Sequence, residues 1–234
     1  MRILIISTFL LLTSLSTQAQ WLTRPRVQNN QNFDKAPISW GYYLGTNSFD
    51  FNFDYQREQT DVIVERDAGF NVGLVGSLRL SEYIDFRTEP GLVFVQRNLI
   101  YAPDIRFDSE DDLTREVQGT YIYIPFLLRF NTKRLNNVRP FTSIGVATAI
   151  NLSSNEENPN DNFAGQFRTT RNTLFYEVGF GIDLYLFWFK FTPSIKGVFA
   201  FTDELVPDNR PDSPWTGNID KLQSRGFFLN FTFQ

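Results

Sequence analysis

The residues of this 234-residue chain that could do chemistry are mainly acidic, because it contains neither histidine nor cysteine. Without histidine, the usual general base of serine and cysteine hydrolases is missing. Without cysteine, the chain has no thiol nucleophile, no disulfide and no thiolate ligand for a metal. Carboxylates, lysines, tyrosines and serines are the candidates that remain for catalysis or metal binding.

Two groups of carboxylates have a spacing that could support chemistry. Residues 108–112 (DSEDD) contain four acids, the ligand type that Ca²⁺ prefers, but they lack the spacing and the glycine of an EF-hand loop. Glu177 and Asp183 share one face of an extended run, yet six residues separate them by about 20 Å. That distance is too long for an acid–base pair. We therefore predict no catalytic, cofactor-binding or metal-binding residues, and a chain that is not an enzyme.

Apolar and polar residues alternate along most of the chain, which is the period of β-strands. In the first run the apolar phase changes between Leu44 and Phe49, which predicts a β-bulge near residues 46–48. Eight runs can be counted, and they cover residues 38–55, 69–80, 83–99, 120–130, 138–152, 173–186, 189–201 and 226–234.

Each of these runs is long enough to cross a bilayer as a tilted strand. Short connections alternate with long polar ones, as in outer-membrane barrels. The pattern predicts an all-β fold, an eight-stranded antiparallel up-and-down transmembrane β-barrel of the outer-membrane type. A soluble barrel with the apolar face around a ligand is the alternative fold.

The chain divides into three parts. Residues 1–19 have the composition of a signal peptide, with Arg2 before an apolar stretch and cleavage expected before Gln20. Residues 20–37 are polar and rich in Asn and Gln, typical of a periplasmic leader without a core of its own. Residues 38–234 form the barrel. Because the strand number is even, we expect both termini in the periplasm of a Gram-negative cell.

The four long connections, residues 56–68, 100–119, 153–172 and 202–225, contain 18 acidic and 9 basic residues. We expect these acidic loops to be extracellular. A nucleic-acid partner is not expected, since it would need a basic patch. No small-molecule substrate is identified, and the expected surroundings are outer-membrane lipid and other envelope proteins.

The polar face of the strands carries charged residues in mid-strand, and aromatic residues gather near the strand ends on the apolar face. Both features favour a membrane barrel with the apolar face toward lipid. Charges of both signs inside a narrow barrel are expected to neutralise one another, so a diffusion pore is not predicted. The predicted interior polar network contains Arg79, Asp85, Arg87, Glu89, Arg97, Arg129, Glu177, Asp183, Lys190 and Lys196.

Two further motifs have alternative interpretations. Gly179 and Gly181 flank Phe180, but no helix follows, so a phosphate-binding loop is not predicted and relief of crowding inside the barrel is favoured. Trp215 lies in the fourth long loop. It is either a possible contact for a partner protein or a ring that covers the mouth of the barrel.

Three segments of the chain resemble PorT proteins of Bacteroidetes. They are residues 33–51, with FDK, ISWGYYLG and FDF, residues 86–92 (FRTEPGL) and residues 121–128 (YIYIPFLL). The resemblance implies an outer-membrane β-barrel that is an accessory component of the type IX secretion system. This system exports proteins with a C-terminal sorting domain and supports gliding in many members.

The resemblance implies secretion-system proteins as partners and transfers no catalytic residue. Tyr123 stands where many relatives carry Glu, so no role of that carboxylate is carried over. A stand-alone barrel that acts as a surface adhesin or binding protein through its acidic loops is the alternative function.

Overall fold

The computed structural model describes residues 27–57, 61–103, 107 and 109–234, and the predicted signal peptide lies outside this part of the chain. Within these residues, three short 3-10 helices occur, at Phe33–Lys35, Glu110–Leu113 and Asn162–Ala164. In the described residues, no helix has the length and apolar character needed to span a membrane. The strands are β1 (Ile38–Tyr55), β2 (Ile63–Arg66), β3 (Gly69–Arg79), β4 (Ile84–Thr88), β5 (Gly91–Ile100), β6 (Thr114–Asn131), β7 (Val138–Asn151), β8 (Asn172–Tyr185), β9 (Lys190–Ala200) and β10 (Ile219–Phe233).

The strands close into a ring with eight positions. All pairings are antiparallel, and β1 closes the ring because it pairs with β3 on one side and with β10 on the other. The two short strands β4 and β5 follow one another along the chain and together form one of the eight positions, since both pair with β3 and with β6. The prediction of an eight-stranded, antiparallel, up-and-down barrel is confirmed.

One predicted strand is interrupted, and one strand was not predicted. The run at residues 83–99 divides into β4 and β5 at Pro90, which has no N–H to donate to a neighbouring strand. The Pro90 carbonyl still accepts a hydrogen bond from the Leu74 amide at 2.9 Å. In the first long loop, β2 extends the sheet beyond the ring by pairing with the upper end of β5.

The predicted bulge in β1 is wrong. The pairing of β1 with β10 is continuous from Tyr42 to Asp54. The side chains of Tyr43, Phe49 and Phe51 are all buried in the barrel, so the same face points inward along this length. The apolar residues change from the outer face to the inner face, while the register of the strand does not change.

This change reflects a reversal of polarity along the barrel axis. Near the short turns, the outer face of β10 carries Phe227 and Leu229, which are exposed and apolar. Toward the long loops, the same face carries Gln223 and Arg225. The outer face of β6 likewise changes from Ile122 and its apolar neighbours to Gln118 and Glu116. An apolar outer face suits lipid and a polar one suits water, so these strands extend beyond the apolar band.

Side chains fill the interior in three layers. A charged layer lies toward the short turns and is described below. Above it is an aromatic layer, formed by Phe49, Tyr121, Tyr123, Phe175 and Phe228. The ring centroids of Tyr123 and Phe228 are 5.6 Å apart in an edge-to-face contact. At the long-loop end, a loop cap is formed by Phe51, Tyr101, Phe167, Leu205 and Trp215 with their apolar neighbours.

Candidate functional site

Glu89 is the centre of the upper part of the charged layer. It lies directly before the break at Pro90, and its side chain is buried. One carboxylate oxygen accepts a hydrogen bond from Arg87 Nε at 2.5 Å, and the other accepts from Lys196 Nζ. Arg87 also donates to Thr232 Oγ1 at 3.2 Å. Glu89 therefore balances two buried cations, from β4 and from β9.

Glu177 is a second carboxylate beside the same lysine. Its side chain is buried, and Oε2 lies 3.8 Å from Lys196 Nζ. This contact is longer than the two hydrogen bonds of Glu89. This part of the layer thus contains two basic and two acidic side chains, the mixture expected for charges held in a narrow interior.

Asp183 is the centre of the lower part of the charged layer. It accepts hydrogen bonds from Arg129 Nη2 and from Thr192 Oγ1, the latter at 2.7 Å. Lys190 Nζ lies 4.0 Å from the same carboxylate. The guanidinium of Arg129 also stacks on the ring of Phe141, with 3.5 Å between its central carbon and the ring centroid.

Asp85 joins this part indirectly. Arg129 Nε donates to Asn131 Oδ1 at 2.8 Å, and the Asn131 amide donates to Asp85 Oδ2 at 2.8 Å. The structure thus brings together eight of the predicted network residues, in the upper and lower groups of the charged layer. They are Asp85, Arg87, Glu89, Arg129, Glu177, Asp183, Lys190 and Lys196.

Two predicted members of the network lie elsewhere. Arg79 is half-buried at the short-turn rim, where its Nε donates to the Ser81 carbonyl at 3.2 Å. Arg97 lies above the aromatic layer, donates to Ser224 Oγ at 2.9 Å and stacks 3.6 Å from the Phe51 ring centroid. Both residues thus lie outside the charged layer: Arg97 is buried at a greater height in the interior and Arg79 lies at the rim. Strand position alone did not give these heights.

Glu204 was not predicted from the sequence, because it lies four residues after Ala200, the last residue of β9, in an apparent surface loop. Its side chain is buried, and it accepts hydrogen bonds from Ser224 N at 2.7 Å and from Ser224 Oγ at 3.0 Å. Burial raises the pKa of the Glu204 carboxyl, an effect opposed by the positive charge of Arg97. Arg97, Ser224 and Glu204 therefore connect the fourth loop to the barrel interior.

Asp208 also was not predicted, and it joins the third and fourth long loops. It accepts hydrogen bonds from Asn162 Nδ2 at 3.0 Å, from Thr216 Oγ1 at 2.9 Å and from Ser213 Oγ at 2.5 Å. An acid followed by Asn, Arg and Pro looks like an ordinary solvated loop, so no signal in the sequence marked it.

Trp215 covers the mouth of the barrel. Its side chain is 5% exposed, and its indole N–H donates to the Asp112 carbonyl at 2.9 Å. The Arg115 guanidinium lies 4.6 Å from the ring, and Phe163 makes an edge-to-face contact at 5.0 Å. The expectation of a partner contact at Trp215 is therefore corrected: the ring is covered by loop residues of its own chain.

The two glycines of β8 provide space inside the barrel. A Cβ atom on Gly181 would lie 2.4 Å from the Phe141 ring, which is the ring that supports Arg129. A Cβ atom on Gly179 would lie 2.7 Å from Ser143 Oγ and 3.0 Å from Lys196 Cγ. Both glycines let a cation of the charged layer and its support approach the strand closely.

The predicted acidic segment at residues 108–112 is described only in part, since Asp108 lies outside the described residues. Arg115 Nη2 donates to Asp112 Oδ1 at 2.9 Å, and the Ser109 hydroxyl donates to Asp112 Oδ2 at 3.0 Å. Hydrogen bonding to Arg115 lowers the pKa of the Asp112 carboxyl. Across the described part of the chain, no group of three or more acidic residues has a geometry that could hold a metal ion.

These features define a class, an integral membrane β-barrel with an apolar outer band, an interior filled by side chains and a folded loop cap. The chain belongs to the outer membrane protein beta-barrel domain family, whose model matches residues 18–206. No curated protein sequence matches the chain.

Several solved outer-membrane proteins are similar in structure. OprG of Pseudomonas aeruginosa has 13% identity and a TM-score of 0.48, over 84% of this chain and 93% of that one. Ail, the attachment invasion locus protein of Yersinia pestis, was solved with the heparin analogue sucrose octasulfate. It has 12% identity and a TM-score of 0.39, over 85% and 99% of the two chains. Neisserial surface protein A has 8% identity and a TM-score of 0.41, over 84% and 98%.

Proposed function

We propose that this protein is a non-enzymatic outer-membrane barrel that acts by binding other envelope proteins, as an accessory component of the type IX secretion system. The proposal of a non-enzymatic barrel that binds other proteins rests on the filled interior. The charged layer, the aromatic layer and the loop cap occupy the barrel in succession. A barrel filled in this way has its outer wall, its loops and its leader as binding surfaces.

The secretion role rests on the resemblance of residues 33–51, 86–92 and 121–128 to PorT proteins. In this proposal residues 1–19 are removed on export, residues 20–37 are a periplasmic leader, and both termini lie in the periplasm. The acidic loops are then extracellular. The buried acids Glu89 and Asp183 are engaged in ion pairs of the interior, which supports a role without catalysis.

Deletion of the gene tests the secretion role. Proteins with a C-terminal sorting domain are expected to accumulate in the periplasm of the deletion strain, as measured by fractionation and immunoblotting. Expression of the full chain from a plasmid should restore their export. Normal secretion in the deletion strain would contradict the proposal.

A role as a surface adhesin is the second candidate, and the ordered loop cap favours it. Asp208 joins the third and fourth loops, and Trp215 of the fourth loop donates to the Asp112 carbonyl of the second loop, so these acidic loops present a fixed surface. Replacement of residues 101–113 by a short turn separates the two functions. Loss of adhesion with intact secretion would favour the adhesin, whereas loss of secretion with intact adhesion would favour the secretion role.

A further inference from the structure

The described part of the leader, residues 27–37, covers the short-turn end of the barrel, and its last residue, Pro37, accepts a backbone hydrogen bond from the Arg79 amide of β3 at 2.8 Å. Asn29 donates through its side chain to the Tyr185 carbonyl at 3.1 Å, and its backbone N–H donates to Asn137 Oδ1 at 2.8 Å. The 3-10 helix Phe33–Lys35 follows and brings two side chains, Phe33 and Asp34, against the barrel opening. The leader is therefore bound to the end of the barrel by side chains.

Asp34 is the centre of this contact. One carboxylate oxygen accepts a hydrogen bond from the Tyr185 hydroxyl at 2.6 Å and lies 3.4 Å from Arg139 Nη1. The other accepts from Arg134 Nη1 at 3.1 Å. Two guanidinium groups and one hydroxyl thus converge on a single carboxylate, the arrangement that proteins use to recognise a peptide acid.

The barrel itself holds both guanidinium groups in place. Arg139 donates to the carbonyl oxygens of Thr132 at 3.1 Å and Glu82 at 2.6 Å. Arg134 donates to the Asn136 carbonyl at 2.8 Å, and its central carbon lies 3.7 Å from the centroid of the Tyr185 ring. These partners belong to the barrel, and Arg134 Nη2 donates in addition to the carbonyl of the leader residue Asn29. The barrel contacts of both arginines are therefore retained when Asp34 leaves the anion site.

Phe33 occupies the neighbouring position. The Lys190 ammonium lies 4.3 Å from the centroid of the Phe33 ring, and Tyr185 meets this ring edge-on at 6.3 Å. A small cavity of about 30 Å³ remains beside the two leader residues. Its charged lining is mainly basic, with Arg79, Arg129, Arg139 and Lys190 against Asp34 and Asp85.

We propose that this basic opening is a recognition site for an acidic peptide segment with an aromatic residue beside the acid, and that Phe33 and Asp34 of the leader occupy it in the free protein. A partner segment with this chemistry displaces the leader and binds in its place. We choose this class of partner because a cation-rich pocket with an aromatic contact is complementary to an acidic residue beside an aromatic one. The proposal does not depend on the secretion role.

Competition with the leader sets the strength of binding. Asp34 lies only four residues before Ile38, the first residue of β1. The effective concentration of the leader at the site is therefore high, on the order of millimolar or more. A free peptide that makes the same contacts therefore binds the intact protein weakly. A substitution that weakens the contacts of the leader should make the site available to a free peptide.

The test uses the mature protein in detergent micelles and a fluorescent peptide that copies residues 30–37 (NQNFDKAP). Asp34→Asn removes the negative charge of the leader and leaves the barrel site intact. This variant should bind the peptide roughly tenfold or more tightly than the wild type, as measured by fluorescence anisotropy. Glu65→Gln, a matched change of an exposed acid at the other end of the barrel, should bind like the wild type.

Changes in the arginines and in the peptide then test whether the carboxylate site is responsible for the tighter binding. Combining Asp34→Asn with Arg139→Gln should abolish the gain in peptide affinity, and so should combining it with Arg134→Gln. A peptide with Asn in place of its Asp should bind weakly to Asp34→Asn. Gel mobility before and after heating establishes that each variant is folded. Equal binding by the wild type and Asp34→Asn would overturn the proposal. Binding to folded variants that is insensitive to both arginines would overturn it as well.

Discussion

Glu89 and Glu177 are neighbouring buried acids with different partners, and this difference predicts different effects of substitution. Glu89→Gln leaves Arg87 and Lys196 without their close carboxylate, so the barrel should lose about 3–5 kcal/mol of stability. Glu177→Gln removes the longer contact with Lys196 at 3.8 Å, and the loss of stability should be clearly smaller. Urea unfolding of the two variants in lipid vesicles measures both values. Equal losses would contradict the central place of Glu89.

Glu204 makes the loop cap sensitive to pH. Its pKa is raised in the folded protein by burial from an ordinary value of 4.5, so the folded state holds the proton more tightly than the unfolded state. The stability that this provides is fully present below pH 4.5 and is lost as the pH rises toward the raised pKa. Glu204→Gln should remove this part of the pH dependence.

The difference between the wild type and Glu204→Gln isolates this effect from other titrating groups. Proteolysis of the fourth loop across a pH series, with a protease active over the range, measures it in the folded barrel. The wild type should become more susceptible with rising pH relative to the variant. A constant ratio between the two proteins would contradict the prediction.

At the residue scale, the sequence predicted which charges point inward but not their partners. Alternation predicts Glu89 and Lys196 on the polar face, because strand period depends only on position along the chain, and both side chains are buried. The pairing of Glu89 with Lys196 spans 107 residues, and nothing local encodes it. The buried positions of Trp215 and Asp34 depend on how loops and leader fold against the barrel, which strand periodicity does not describe.

At the element scale, β8 offers a direct test of which face meets lipid. Phe180 lies near the middle of β8 and is 58% exposed on the outer face. Phe180→Arg should lower stability by about 2–4 kcal/mol, because a charge would lie in the hydrocarbon region. Urea unfolding in lipid vesicles gives the value.

Glu82→Arg is the matched control for this charge. Glu82 is exposed in the short turn between β3 and β4, where an arginine remains in water, so the variant should unfold like the wild type. If both variants were equally stable, the outer face of β8 would not be in contact with lipid.

Element boundaries were predicted well in the apolar band and poorly above it. Strands β7, β8 and β9 begin and end within two residues of the predicted runs. In contrast, β6 begins at Thr114 rather than 120 and β10 begins at Ile219 rather than 226. The missed parts have polar outer faces in water, so they lack the outward apolar residues by which the runs were recognised.

At the scale of the whole molecule, the filled interior predicts a barrel that does not conduct. In planar lipid bilayers the purified protein should give no stepwise current above that of the bare membrane. Asp34→Asn should remain silent too, because the charged and aromatic layers lie above the leader. Single-channel steps from the folded wild type would show that the layers move apart, and would contradict the proposed role as a binding protein.

The reversal of polarity along the barrel axis also fixes how deep the protein sits in the bilayer. On β10, Arg225 and Phe227 are neighbours on the outer face and are about 7 Å apart along the strand. Sinking by that distance would bring Arg225 into hydrocarbon, and rising by the same distance would place Phe227 in water. The barrel therefore has one preferred height, so a partner that is itself anchored in the membrane would meet the long loops and the short turns at constant distances from the lipid surface.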